Sequence, residues 1–130
     1  MNLAYTSIKE RLFGGGDKVY NEVIIINSDT LGRGDEEVGR TLLGTFLRKV
    51  LASLDKPDAI IFYNSGVKLV TRDSRFRDIL EGLESGGVEL LACGTCVYSV
   101  CGKRSLAVGR ITDMEEIADI VLNAQKVVTL

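Results

Sequence analysis

At 130 residues, with 45% apolar and 26% charged side chains, the chain has the size and make-up of one globular domain with an ordinary core. A formal net charge of −2, with no stripe of Lys or Arg, argues against nucleic acid as a main partner, and no apolar run reaches the roughly 18 residues of a membrane-spanning helix. Three cysteines and no histidine fit a reducing compartment, expected to be cytoplasmic, and leave catalysis to Cys, carboxylates, Lys, Tyr or the backbone. In chain order, residues 1–21 read as a loosely docked arm or linker remnant: Ile8 and Leu12 share one face of a short helix, and Gly14, Gly15 and Gly16 then break it. No apolar leader stretch is present there, so no secretory signal is expected.

The regular domain is expected over 22–130. Val23-Ile24-Ile25-Ile26 is a β-branched run suited to a strand covered on both faces. From Asp35 to Leu54, Val38, Leu42, Phe46, Val50 and Leu54 recur at helical spacing, with Asp35, Glu36 and Glu37 in the first turn where the helix dipole favours them. Pro57 precedes a second strand, Ala59 to Tyr63. Phe76, Ile79, Leu80 and Leu83 line a second helix ended by Gly86-Gly87. Val88 to Ala92 is the third strand, Leu106 to Val108 a short fourth, and Lys126 to Leu130 the last. Between the last two lies a helix from about Asp113 to Ala124 with Met114, Ile117, Ala118 and Val121 inward. Strands alternating with helices define an α/β fold with a mostly parallel five-stranded sheet.

Ligands of such sheets bind beyond the carboxyl ends of the strands. The segments expected there are Asn27 to Gly34, Asn64-Ser65-Gly66-Val67-Lys68, Cys93-Gly94-Thr95-Cys96 and Gly109 to Asp113. Cys93 sits where a strand stops and unpaired helix N–H groups begin, a place that favours a thiolate. A thiol pKa of about 8.5 leaves about 3% thiolate at pH 7, and lowering it to about 6.5 raises that to about 75%. Lys68 beside it would lower the pKa further. Cys93 and Cys96 are three apart, within disulfide reach on a helix, which keeps a thiol–disulfide redox protein in view. Its late position and the lack of a proline facing the pair fit a thioredoxin motif poorly. Eight helical residues would place Cys101 about 12 Å away, too far to bridge to Cys93. No metal site is expected, since zinc wants a fourth Cys or His. Gly32-Arg33-Gly34 lacks the third glycine of a dinucleotide fingerprint, and Glu37 stands in its place. Val97, Tyr98 and Val100 read as an interface patch.

Three runs together carry a resemblance: Ile26-Asn27-Ser28-Asp29-Thr30-Leu31-Gly32-Arg33-Gly34-Asp35, Phe62-Tyr63-Asn64-Ser65-Gly66-Val67-Lys68-Leu69 and Ala92-Cys93-Gly94-Thr95-Cys96. Over about 22–130 the chain resembles the C-terminal DsrE/DsrF-like domain of YedF-like proteins, labelled sulfurtransferase-like selenium-metabolism proteins. The resemblance implies a three-layer α/β/α fold, homo-oligomers, and a sulfur relay or selenium handling between donor and acceptor proteins. Transfer of this kind requires no metal or organic cofactor. It makes Cys93 the residue that accepts a persulfide, with Cys96 as a second cysteine able to take over the sulfur or release it by forming a disulfide. Asn27, Asn64, Ser65, Gly66, Lys68, Gly94 and Thr95 are the expected substrate-binding residues. The chain departs from the family in having at most a remnant of the TusA-like domain that usually comes first, and in carrying Asp113 where Asn is usual. A non-catalytic oligomeric binding module with structural cysteines is the reading from another class.

Overall fold

Val23, Ile24, Ile25 and Ile26 are all buried, as a β-branched run at the middle of a sheet should be, and they belong to strand β1, Glu22–Ile26. The computed structural model describes residues 19–102 and 105–130. The short helix expected around Ile8 and Leu12 and the glycine break after it lie outside the described residues, whereas Tyr20 is buried in the core. After β1 come α1, Glu36–Ala52; β2, Ala59–Phe62; a 3-10 helix, Asn64–Val70; α2, Arg77–Ser85; β3, Glu89–Cys93; α3, Gly94–Cys101; β4, Arg110–Thr112; α4, Met114–Asn123; and β5, Lys126–Thr129.

The sheet runs β4-β3-β2-β1-β5, and every neighbouring pair is parallel. From β1 to β4 each strand is laid beside the previous one, and right-handed crossovers put α1, α2 and α3 on one face. There Leu43 and Leu47 of α1, Leu80 and Leu83 of α2 and Val97 of α3 pack with Ile24, Ile26, Ile60, Phe62, Leu90 and Ala92. The chain then returns past β1, so α4 covers the opposite face, where Ile117 and Ile120 meet Val23, Ile25, Ala59, Ile61, Leu91 and Cys93. Helices on both faces of a parallel sheet make the expected three layers. Two helix starts carry the acidic caps that their sequences offer. Asp35 accepts from the Val38 N–H at 2.9 Å and Asp113 from the Glu116 N–H at 2.8 Å, contacts of about 1 kcal/mol each.

Four expectations need correction. In α1 the buried row is Gly39, Leu43, Gly44 and Leu47, while Val38 is 56% and Leu42 49% exposed and Leu54 lies past the helix in solvent. The fourth strand is Arg110–Thr112 and not Leu106 to Val108; Leu106 makes only an isolated antiparallel bridge to Thr71. In α4 Ile120 faces inward and Met114 is half exposed. In α3 Val97 faces the core, so of the expected patch only Tyr98 is fully offered to solvent.

Candidate functional site at the carboxyl edge of the sheet

The parallel sheet brings the ends of β1, β2 and β3 to one edge. The connection after β3 goes to α3 on one face, and the connection after β4 goes to α4 on the other. Adjacent strands whose chains part to opposite faces leave a crevice between them, the usual binding place in open α/β sheets. Cys93 and Thr112, paired in register at the ends of β3 and β4, stand at that point. Gly94 allows the close approach there: a Cβ on it would lie 2.9 Å from Ile111 Cγ2 and 3.3 Å from the Thr112 carbonyl oxygen.

Cys93 closes β3 and occupies the N-cap position of α3, with extended backbone (φ −63°, ψ 120°) and no side-chain capping bond. It follows Leu91 on the α4 face, so its thiol turns into the sheet and the residue is only 4% exposed. The accessible sulfur expected at Cys93 is therefore not found there. Strand parity decides this: β3 continues through Cys93 instead of stopping at Ala92. Cys96, within the first turn of α3, is partly exposed and packs against both apolar clusters. Its thiol lies near the Cys93 thiol and near the backbone N–H of Asn64, and both act on its ionisation. Burial pushes the Cys96 thiol above the ordinary thiol range. The Asn64 N–H pulls it down, and neighbouring Cys93 adds to the rise. None of the three cysteines is in a disulfide, and α3 runs unbroken to Cys101, which stands at its far end.

The loop residues named from sequence fall in two groups. Asn64 begins the 3-10 helix at φ 53°, a left-handed conformation uncommon outside glycine, and this turn presents its N–H to Cys96. Gly66 sits hard against β1: a Cβ there would be 2.2 Å from the Ile26 carbonyl oxygen. Ser65 Oγ accepts from the Asp29 N–H at 3.3 Å, tying the loops after β1 and β2 together. Gly94 and Asn64 thus lie beside the pair. Lys68 turns elsewhere, with Nζ 4.0 Å from an Asp29 carboxylate oxygen. Asn27 is half-buried just past β1 and Thr95 is exposed on α3. The stretch expected as a fourth loop, Gly109 to Asp113, is mostly β4 itself.

A polar cluster escaped the sequence reading. Tyr20 donates to Glu89 at 2.8 Å, and Arg110 bonds Glu89 at 2.9 Å and Glu116 at 2.7 Å. The Thr112 hydroxyl donates to Glu116. The Arg110 guanidinium holds the Glu116 carboxyl below the usual range, and burial with Glu89 alongside pushes the Tyr20 phenol up. Glu89, Arg110 and Thr112 share the sheet face of Cys93. Their signal was the polar–apolar–polar alternation of Arg110-Ile111-Thr112, which suits an edge strand. Among the described residues, no group of three or more His, Cys, Asp or Glu side chains is placed to hold a metal ion, and no helix is long and apolar enough to cross a membrane.

Strand order and helix placement define a three-layer α/β protein, the DsrE/DsrF-like fold expected from the sequence. Two solved structures share it at the level of fold. The ychN protein from E. coli superimposes with a TM-score of 0.60 at 21% identity, over 85% of this chain and 99% of that one. The protein of unknown function MTH1491 from Methanobacterium thermoautotrophicum does so with a TM-score of 0.63 at 21% identity and the same coverages of 85% and 99%. No family model and no curated protein matches the sequence.

The upward shift at Cys96 has a direct consequence. Thiol alkylation follows the thiolate fraction, which grows tenfold per pH unit until the pKa is reached. The alkylation rate of Cys96 is therefore expected to be slow at pH 7 and to level off at a higher pH than that of a free cysteine. Peptide-resolved iodoacetamide labelling beside a cysteine peptide checks it, and a midpoint at or below that of the peptide would contradict it.

Proposed function

We propose that this chain is a sulfurtransferase-like carrier in which a thiol of the Cys93–Cys96 pair takes sulfane sulfur, or selenium, from a donor protein as a persulfide and hands it to an acceptor protein. The observation that carries the reading is the placing of two cysteines at one strand-to-helix junction, Cys93 as the last residue of β3 and Cys96 in the first turn of α3, at the carboxyl edge of the parallel sheet. A persulfide is an anion at neutral pH, and an N–H donor in a partly dehydrated crevice is suited to hold it. Sulfur exchange between thiols also needs no metal or organic cofactor. The test is incubation with a low-molecular-weight persulfide followed by mass spectrometry. A gain of about 32 Da on a peptide containing Cys93 or Cys96, reversed by a thiol reductant, is the expected result of persulfidation. No gain on either residue would sink the reading.

The burial of Cys93 favours a second reading, an oligomeric binding module with structural cysteines. Self-association is part of both readings, and the exposed Val38 and Leu42 of α1 and Tyr98 of α3 supply apolar surface for it. Sedimentation measures that association, and only the persulfide gain separates the carrier from the module.

A further inference from the structure

We propose that Cys96, and not Cys93, is the thiol that meets the sulfur donor, and that sulfur reaches Cys93 only by way of Cys96. The inference rests on the carrier reading above and assigns its entry point.

Access is the first argument. Attack on a persulfide requires the donor's outer sulfur to come within bonding distance, in line with the bond that breaks. Cys93 ends β3 with its side chain under α4 among Ile25, Ile61, Leu91 and Ile117, and only 4% of the residue meets solvent. A donor carried on another protein would have to displace a helix to reach it. Cys96 is one turn along, partly exposed, on the side where α3 faces the 3-10 helix.

Backbone geometry is the second argument. Asn64, one of the few residue types that tolerate the left-handed region, holds φ at 53° and opens the 3-10 helix that packs along α3. The loop is fixed in that turn by Gly66 against the Ile26 carbonyl and by Ser65 accepting from the Asp29 N–H. The 3-10 helix that faces α3 is thereby held in place beside the more exposed of the two thiols.

The chemistry balances at each step. The Cys96 thiolate attacks the outer sulfur of a donor R–S–SH; the donor S–S bond breaks, R–S⁻ leaves and takes a proton from water, and Cys96 carries –S–SH. No oxidant is consumed, because the sulfane sulfur changes partners without a net change in oxidation state. Cys93, across the strand-to-helix junction, is then the cysteine nearest to that outer sulfur, with Cys101 at the far end of α3. Its attack moves the sulfur to Cys93 while its proton passes to Cys96, leaving Cys93–S–SH and Cys96–SH.

The experiment uses glutathione persulfide on the full chain, with site-resolved mass spectrometry at early times on wild type, C93S and C96S. C93S is expected to gain sulfur on Cys96 within a few-fold of the wild-type rate. C96S is expected to lose the gain at Cys93 by about tenfold or more, because exchange depends on access as well as on thiolate fraction. Gain at Cys93 in C96S at the wild-type rate overturns the entry assignment and leaves the carrier reading standing. No gain at either thiol of wild type overturns both. A measurement free of variants runs alongside: limiting iodoacetamide on folded wild type is expected to label Cys96 before Cys93, and the reverse order overturns the assignment.

Discussion

Leu47→Ala is expected to destabilise the protein by about 2–5 kcal/mol, while Leu42→Ala shifts stability by no more than about 0.5 kcal/mol. Both are leucines on α1, five residues apart. Leu47 is fully buried between the helix and the sheet, in the cluster with Ile24, Phe62 and Leu80, so truncation leaves a cavity that rigid neighbours fill poorly. Leu42 is 49% exposed, and its loss uncovers little. Urea denaturation of the two variants checks the contrast; equal losses would mean that α1 lies on the sheet by a different face.

The contrast also explains why the helix face was misread. A row spaced by four residues drifts by about 40° at each step of a helix with 3.6 residues per turn. The run Val38, Leu42, Phe46, Val50, Leu54 therefore winds around α1 and starts on the solvent side. The contact stripe steps by threes and fours and includes two glycines that carry no hydropathy signal. A Cβ on Gly39 would lie 2.8 Å from Thr30 Cβ, and one on Gly44 2.7 Å from the Phe76 ring, so these positions are bare to let the loop after β1 and the start of α2 come close.

Gly66→Ala carries the other large expected effect. The added methyl would sit 2.2 Å from the Ile26 carbonyl oxygen, and both partners are backbone, the 3-10 helix on one side and the end of β1 on the other. A side chain has rotamers to escape into; here a strand end or a helical turn has to move. The cost is expected at or above the upper end of the roughly 1–3 kcal/mol seen for overpacking. The displaced 3-10 helix would also carry the Asn64 N–H away from Cys96. Two readouts are expected to change together: a lower denaturation midpoint, and a Cys96 alkylation profile shifted further to high pH because a bond that favours the thiolate is gone. A stable variant with an unaltered Cys96 profile would show that the loop does not position that donor.

What could be read from the sequence follows from how strongly burial writes itself into residue type. β1, β2 and β3 are covered on both faces, so they appear as continuous apolar runs and were placed within a residue. β4 is an edge strand whose inward side chains, Arg110 and Thr112, are satisfied by Glu89 and Glu116 and not by hydrophobic contact. It reads as a loop, and the apolar Leu106 to Val108 nearby attracted the strand assignment instead. The Cys93–Cys96 segment was legible as the strand-to-helix junction it is. Which of the two sulfurs looks outward was not, because that turns on whether β3 ends at Ala92 or one residue later. A single step of strand parity sends a side chain to the opposite face.

The order of the strands has a consequence for synthesis on the ribosome. Moving outward from β1, each new strand up to β4 finds its neighbour already made, so four of the five strands can be assembled as the chain emerges. The other flank of β1 pairs, among the described residues, with Lys126–Thr129, the last of the five strands. A nascent chain therefore displays an open row of amide and carbonyl groups along a very apolar strand until that segment arrives, and this is the interval in which pairing with the wrong chain is most favourable.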